Sequence, residues 1–438
     1  MHLIKTSRIF WWLFIILWFI TFTDYSQDYA LHLGASGGAV GFSPFYFFSS
    51  VIVGFLFIAG IIMLLYGKSG YRPQKEIKLF LILFILSSLW GVYVGAVKGV
   101  PLKFLIGDSR NTVCYFMLFA LAGALKYLDV SSMRRILLIT GLIFFVKILF
   151  AVINLALIYK GGFSWRYYLK LSNFFPLFLF VALSQYVISK LRRDKLKYAV
   201  FALMAACGIF AAQARGIFVG TLAGGIVLSI SLFGQIKLRR LVMPAVFILC
   251  VGLGAGYFMQ DDITKSFGYW GEHNETYSFG MSYRLRQANR LLENFQDNWA
   301  SGAGLGSYDS TSESYEEWLP RPYLAELEYN NLLAKLGIVG FSLWISAFMM
   351  LIIGSIKSAR KSVILNHRMF VYSLIAGLIS LMVQSIIQTG YSSLSFHLYV
   401  VFMLLSISLV NKSNFMLKVN NLNTVNIQKE EKDDEPVS

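Results

Sequence analysis

Arg215 is an arginine inside an apolar run of 36 residues, 198–233. An ionisable group at membrane depth is costly and counts as a functional hypothesis by default, against the alternative that it snorkels to the headgroups. Lys147, inside another apolar run, raises the same question. Two carboxylates, Glu326 and Glu328, stand in the run Ala-Glu-Leu-Glu-Tyr-Asn-Asn just before a further apolar segment. On a helix Glu326 and Asn330 would share one side, and Glu328, Asn331 and Lys335 another. A carboxylate beside a membrane could act as a general base; a solvated helix entrance is the plainer alternative.

Cations gather in the same part of the sequence. Leu285, Ala288, Leu292, Phe295 and Trp299 recur at three- and four-residue steps and predict a helix with one apolar face, packed on the bundle or lying in the interface. Arg286, Arg290, Glu293 and Asp297 fall opposite, as an ion-paired solvated face. Arg284 projects from the edge of the apolar stripe and is the better ligand candidate. Gly302, Gly304 and Gly306 follow, alternating in Ala-Ser-Gly-Ala-Gly-Leu-Gly-Ser-Tyr. Such glycines let backbone amides approach an anion, or simply form a flexible turn. Arg110, Arg166 and Arg321 complete the set, with Asp108 nearby as a possible helix cap. Guanidinium groups suit phosphate oxygens, so these arginines point to an anionic ligand.

The elements that must position these residues are membrane helices. The chain has 438 residues, 57% hydrophobic and 14% charged, with mean hydropathy +0.61. Soluble domains carry about 25% charged residues. A span needs about 20 apolar residues, and twelve segments qualify or come close: 9–23, 44–66, 79–97, 112–128, 136–158, 174–189, 198–213, 217–233, 241–258, 335–354, 370–388 and 396–410. The reading is an all-α, polytopic transmembrane helical bundle of about twelve spans. One long periplasmic loop, 259–327, separates spans 9 and 10. The run 198–233 is too long for one crossing and must be a hairpin with Arg215 at its turn. Residues 1–410 form the bundle, and a polar tail, 411–438, is expected to be disordered and cytoplasmic.

Charge sets the expected sidedness. With the N-terminus inside, the basic clusters at 68–78, 134–135, 190–197, 237–240 and 357–368 all become cytoplasmic. That side then carries 24 Lys and Arg against 12 on the other, as the positive-inside rule requires. Both termini are therefore expected in the cytoplasm. The same rule accounts for the net charge of +16 without nucleic acid. The N-terminus lacks a small-residue cleavage site and reads as a retained span. Cys114, Cys207 and Cys250 lie in apolar runs with no metal-ligand spacing, so no metal, disulfide framework or cofactor is implied. No internal repeat of the kind many transporters carry is visible, which weighs against a transporter.

The chain resembles the bacterial O-antigen ligase and polymerase family. The resemblance rests on Ala-Arg-Gly at 214–216, Ser-Tyr-Arg at 282–284 with the glycine turn after it, and Gly337-Ile-Val-Gly340, with Asp108-Ser-Arg110 a weaker match. It implies a membrane glycosyltransferase of the inner membrane using undecaprenyl-diphosphate-linked glycans, with membrane lipids and a chain-length regulator or flippase as partners. Ligases of the family carry His followed by Asn, Ser or Gln, then nine further residues, then Gly-x-x-Gly. Here the His position is Glu326, and the pair His273-Asn274 lies at the wrong spacing. The resemblance therefore implies a polysaccharide polymerase, with O-antigen ligase, transferring glycan to a lipid A core, as the alternative and a glycan exporter or flippase as a third, less favoured reading. Glu326, Glu328, Arg215 and Arg284 would be catalytic. Arg110, Arg166, Arg321, Gly302, Gly304 and Gly306 would bind substrate.

Overall fold

A computed structural model describes residues 2–23, 44–66, 73–109, 112–157, 172–212, 215–233, 235, 289, 291–307, 328–386 and 393–433. Every regular element among them is helical, as expected of chains in lipid, where a helix satisfies its own backbone. In order they are α1 (His2–Thr23), α2 (Pro44–Leu65), α3 (Lys75–Val97), α4 (Leu102–Ser109), the short turns of 112–126, α5 (Val130–Leu157), α6 (Phe175–Ile188), α7 (Arg192–Ala212), α8 (Arg215–Leu232), α9 (Glu328–Lys361), α10 (Leu365–Gln384) and α11 (Leu394–Asp433). A short helix also covers 291–297.

Five of these helices contain a segment long and apolar enough to cross a membrane: Phe48–Leu65, Lys75–Val97, Glu328–Lys361, Leu365–Gln384 and Leu394–Leu417. Shorter apolar helices cover Ser7–Phe22, Thr112–Lys126, Phe175–Ile188 and Gly216–Leu232. The expected span 241–258, and the loop from 259 to 288, lie outside the described residues. Three differences from expectation stand out. Segment 112–126 is not a continuous α-helix: 3-10 turns at Thr112–Phe116 and Ala122–Lys126 flank a short α segment. Where it winds tighter, neighbours come close: a Cβ on Gly60 would lie 2.0 Å from the Phe116 carbonyl oxygen. A helix the sequence did not suggest, α4, follows α3. Finally α11 runs on through Asp433, so the tail expected to be disordered from 411 is helical to that point. Extending a helix already nucleated in the bundle needs no new nucleus.

Two seams organise the bundle. The first joins α3 to α9, antiparallel. Glu76 at the start of α3 pairs with Lys357 near the end of α9. At the other end Ser87 Oγ donates to the Gly340 carbonyl at 2.8 Å and Trp90 Nε1 to that of Leu336 at 3.2 Å. The second seam joins α8 to α10 through small residues. A Cβ on Gly220 would stand 2.6 Å from the Ser380 carbonyl, and one on Gly224 2.6 Å from that of Ala376, the close backbone approach typical of membrane helix pairs. The core of α11 is buried on all sides from Leu398 to Leu405, while α2 turns Val51, Phe55, Ile58 and Ile62 outward.

Basic groups gather at one end. Besides Glu76–Lys357, Arg134 donates to the side-chain oxygens of Gln185 and Asn366 at 2.5 and 2.7 Å. Arg368 bonds the Ser362 carbonyl, and Lys412 bonds those of Leu125 and Lys126. Lys147, by contrast, is half-buried and donates to the Phe22 carbonyl at 2.7 Å in the last turn of α1. It caps carbonyls that a helix end leaves open.

Candidate functional site

The opposite end of the α3–α9 seam holds the residues singled out by their chemistry. Helix α9 is broken near its start: Gly337 has φ 61° and ψ −175°, inside what is otherwise one helix. Only glycine adopts that region freely. A break frees carbonyls before it and N–H groups after it, and at membrane depth these must find partners. The glycine turn supplies them. Ala303 N–H donates to the Ala334 carbonyl and Gly304 N–H to that of Lys335, both at 2.8 Å. Beyond the break, Ile338 N–H donates to the Trp299 carbonyl at 2.8 Å and Val339 N–H to that of Ala300 at 3.3 Å. Trp90 takes the Leu336 carbonyl.

The turn is then clamped from the other side. Leu305 N–H donates to the Gly91 carbonyl at 2.9 Å, and Gly306 N–H to Asp108 Oδ2 at 2.7 Å. The Lys335 ammonium pairs with that same oxygen at 2.7 Å, both side chains being about nine-tenths buried. Lys98 bonds the Asn298 side chain and, at 2.7 Å, the Gly302 carbonyl. Partial burial pulls its ammonium pKa down.

Three glycines make this closeness possible. All have positive φ: 78° at Gly302, 92° at Gly304 and 76° at Gly306. A Cβ at 302 would meet the Lys335 carbonyl oxygen at 2.3 Å, one at 304 the Gly95 Cα at 2.3 Å, and one at 306 the Leu105 nitrogen at 2.7 Å. The amides of 302, 304 and 306 donate to Asn298, Lys335 and Asp108. The geometry thus gives the turn a packing role, with its amides engaged inside the protein. The flexible turn suggested by alternating glycines does not describe this clamped arrangement.

Glu328 opens α9 and is buried, as are Asn331 and Lys335. The side that the sequence grouped as Glu328, Asn331 and Lys335 therefore faces protein, and the reading of a solvated entrance does not describe it. A carboxylate at a helix N-terminus sits favourably against the helix dipole. Tyr329 turns the other way, donating to the Met382 carbonyl at 2.9 Å near the end of α10 and meeting Phe341 and Trp344 edge-on.

Arg215 is the first residue of α8, and residues 213–214 before it are outside the described set. Its backbone can be placed by two steps. Gly220, about 7 Å further along α8 at 1.5 Å per residue, rests against Gln384 and Ser380. Met382, between them, carries the bond from Tyr329. The α8 N-terminus and the α9 entrance thus share one end of the bundle. Arg110, Arg166, Arg284, Arg321 and Glu326 lie outside the described residues. Among the described residues no group of three His, Cys, Asp or Glu could hold a metal ion.

Sequence reasoning missed the Asp108–Lys335 pair and the part played by Gly91 and Gly95. The second had a signal, two glycines four apart in an apolar run. The first had none, since its partners are 227 residues apart.

Residues 199–345 match the family model for O-antigen ligase, 147 of the 438 residues. The match includes α8, the glycine turn and α9 through the Gly337 break. It supports the O-antigen ligase and polymerase family, whose members are membrane glycosyltransferase-like enzymes. No curated protein matches the chain.

Proposed function

We propose that this chain is a polysaccharide polymerase. It joins oligosaccharide repeats, carried on undecaprenyl diphosphate, at the periplasmic face of the inner membrane. The observation that carries the reading is the α9 entrance. Within the segment that matches the ligase family, Glu328 is a buried carboxylate at the start of α9, and the family resemblance puts Glu326, two residues before it, where a ligase carries its histidine.

The chemistry is glycosyl transfer. A glutamate carboxylate takes the proton of the acceptor hydroxyl; the oxygen forms a bond to the anomeric carbon, and the bond from that carbon to the diphosphate breaks. The departing charge is held by Arg215 and Arg284, with Arg110, Arg166 and Arg321 binding the donor, since guanidinium forks fit phosphate oxygens. Asp108, Lys335 and the glycine turn hold the α9 entrance in place. The proposal includes twelve spans with both termini cytoplasmic. A periplasm-only reporter should be active after Ser310 and silent after Lys195.

The test is a deletion strain. A polymerase mutant still attaches one repeat to its acceptor, so a single-repeat product is expected. Complementation should fail with Glu326→Gln or Glu328→Gln, because Gln keeps shape and hydrogen bonding but is not basic. Arg215→Ala and Arg284→Ala should also fail at normal protein levels, with Arg→Lys a poor rescue. That the matching family is the O-antigen ligase family favours a second reading, ligase. Long lipid-linked polymer accumulating with no surface glycan would decide for it.

A further inference from the structure

Two short helices flank the glycine turn, and each turns a pair of apolar side chains away from the protein. In α4, Leu105 is buried and Asp108 reaches the turn, while Leu102 and Ile106, one helical turn apart, are 70% and 58% exposed. Along 291–299, Leu292 and Trp299 are 52% and 61% exposed, while Phe295 is turned further inward. The sequence placed Leu292, Phe295 and Trp299 on one face; only part of that face packs on the protein. Around the same helix the exposed surface passes from Leu292 through Gln296 to Glu293 and Asp297. An apolar edge beside the bundle and an acidic edge away from it is the division of a helix lying in a membrane interface.

The outward residues continue the exposed apolar faces of two candidate membrane spans. On α3, Leu89, Tyr93 and Val97 are exposed at four-residue steps, and the next residue, Lys98, bonds Asn298 and the Gly302 carbonyl. On α9, Ile338 and Val339 are exposed, and their N–H groups donate to the carbonyls of Trp299 and Ala300. The apolar stripes of both spans thus end against residues 298–302, which follow the 291–297 helix, and α3 leads directly into α4. Trp and Tyr are the residues enriched at that depth.

We infer that α4 and the 291–297 helix form a lipid collar: Leu102, Ile106, Leu292 and Trp299 lie in the bilayer interface and seat the glycine turn against the broken helix. The occupant of this surface is bilayer lipid. The collar is independent of which glycosyl transfer the chain performs.

The test is spin-label accessibility in nanodiscs of phosphatidylethanolamine and phosphatidylglycerol. Single cysteines replace Leu102, Ile106, Leu292 or Trp299 in the full chain with Cys114, Cys207 and Cys250 changed to Ala; Glu293→Cys and Asp297→Cys serve as controls. Monodispersity and thermal midpoint establish that each variant is folded. Oxygen should relax the label more than a water-soluble nickel chelate does at the four collar positions, with the order reversed at the two acidic ones. Chelate access at 292 and 299 equal to that at 293 would overturn the collar in favour of a water-exposed surface. Dipolar broadening that vanishes on dilution with unlabelled protein would overturn it in favour of a second copy.

Discussion

Two ion pairs bracket the α3–α9 seam, and they are of opposite kinds. At the basic end Lys357 is 52% exposed where it meets Glu76; at the other end Lys335 and Asp108 are 7% and 10% exposed. An exposed pair gains little, since water screens it and two side chains lose freedom. A buried pair must recover a large desolvation cost through geometry and further hydrogen bonds. Asp108 meets that condition, with one oxygen accepting from both Lys335 and the Gly306 amide. The same chemistry thus acts as a loose tether at one end and as part of a fixed node at the other. The node is also where the proposed catalytic glutamates begin, so rigidity is concentrated where positioning matters.

The comparison can be pressed hardest at Gly337. Gly337→Ala would place a Cβ 2.4 Å from the Gly302 nitrogen. Positive-φ strain and overpacking together should cost about 2–6 kcal/mol, read as a lower thermal midpoint in nanodiscs and loss of folded protein. An unchanged midpoint would mean the break is not held as described. Asp108→Ala comes next. It removes the carboxylate that Lys335 and the Gly306 amide share, and breaking a buried pair costs about 3–5 kcal/mol. Replacing both, as Asp108→Leu with Lys335→Met, should recover part of that loss; a double variant no better than the single one would show that the pair is not the coupled unit. Smallest is Glu76→Gln, for which no resolvable midpoint shift is expected at moderate salt. A loss matching that of Asp108→Ala would erase the distinction between the two ends.

Much of this architecture was legible in the sequence, and the reasons are local. Apolar length located α2, α3 and α10 to within a few residues, and α1 at its C-terminal end, because in lipid a long apolar segment has little choice but to be helical. The charge at Arg215 marked where 198–233 breaks into α7 and α8. What was hidden is non-local. The glycine turn is indistinguishable from a flexible loop until Gly91, Gly95 and Asp108 are placed beside it. The outward turn of Leu292 and Trp299 was equally out of reach: periodicity finds an apolar face but does not say whether protein or lipid covers it. The helical continuation past 411 depends on what precedes it, which composition alone does not register.

The break in α9 also imposes an order of assembly. Its open groups are closed by residues 299–304, made shortly before it, yet that turn is itself clamped to Gly91 and Asp108, about two hundred residues earlier. The ribosome therefore delivers the two halves of the node far apart in time. Until residues 299–306 and then α9 are made, α3 and α4 lack the turn that Gly91 and Asp108 hold. Such late, long-range closure is where a membrane chain is exposed to misassembly. Outward-facing apolar residues on α4 would hold the first half in lipid through that interval, keeping Asp108 at the depth where Lys335 must find it.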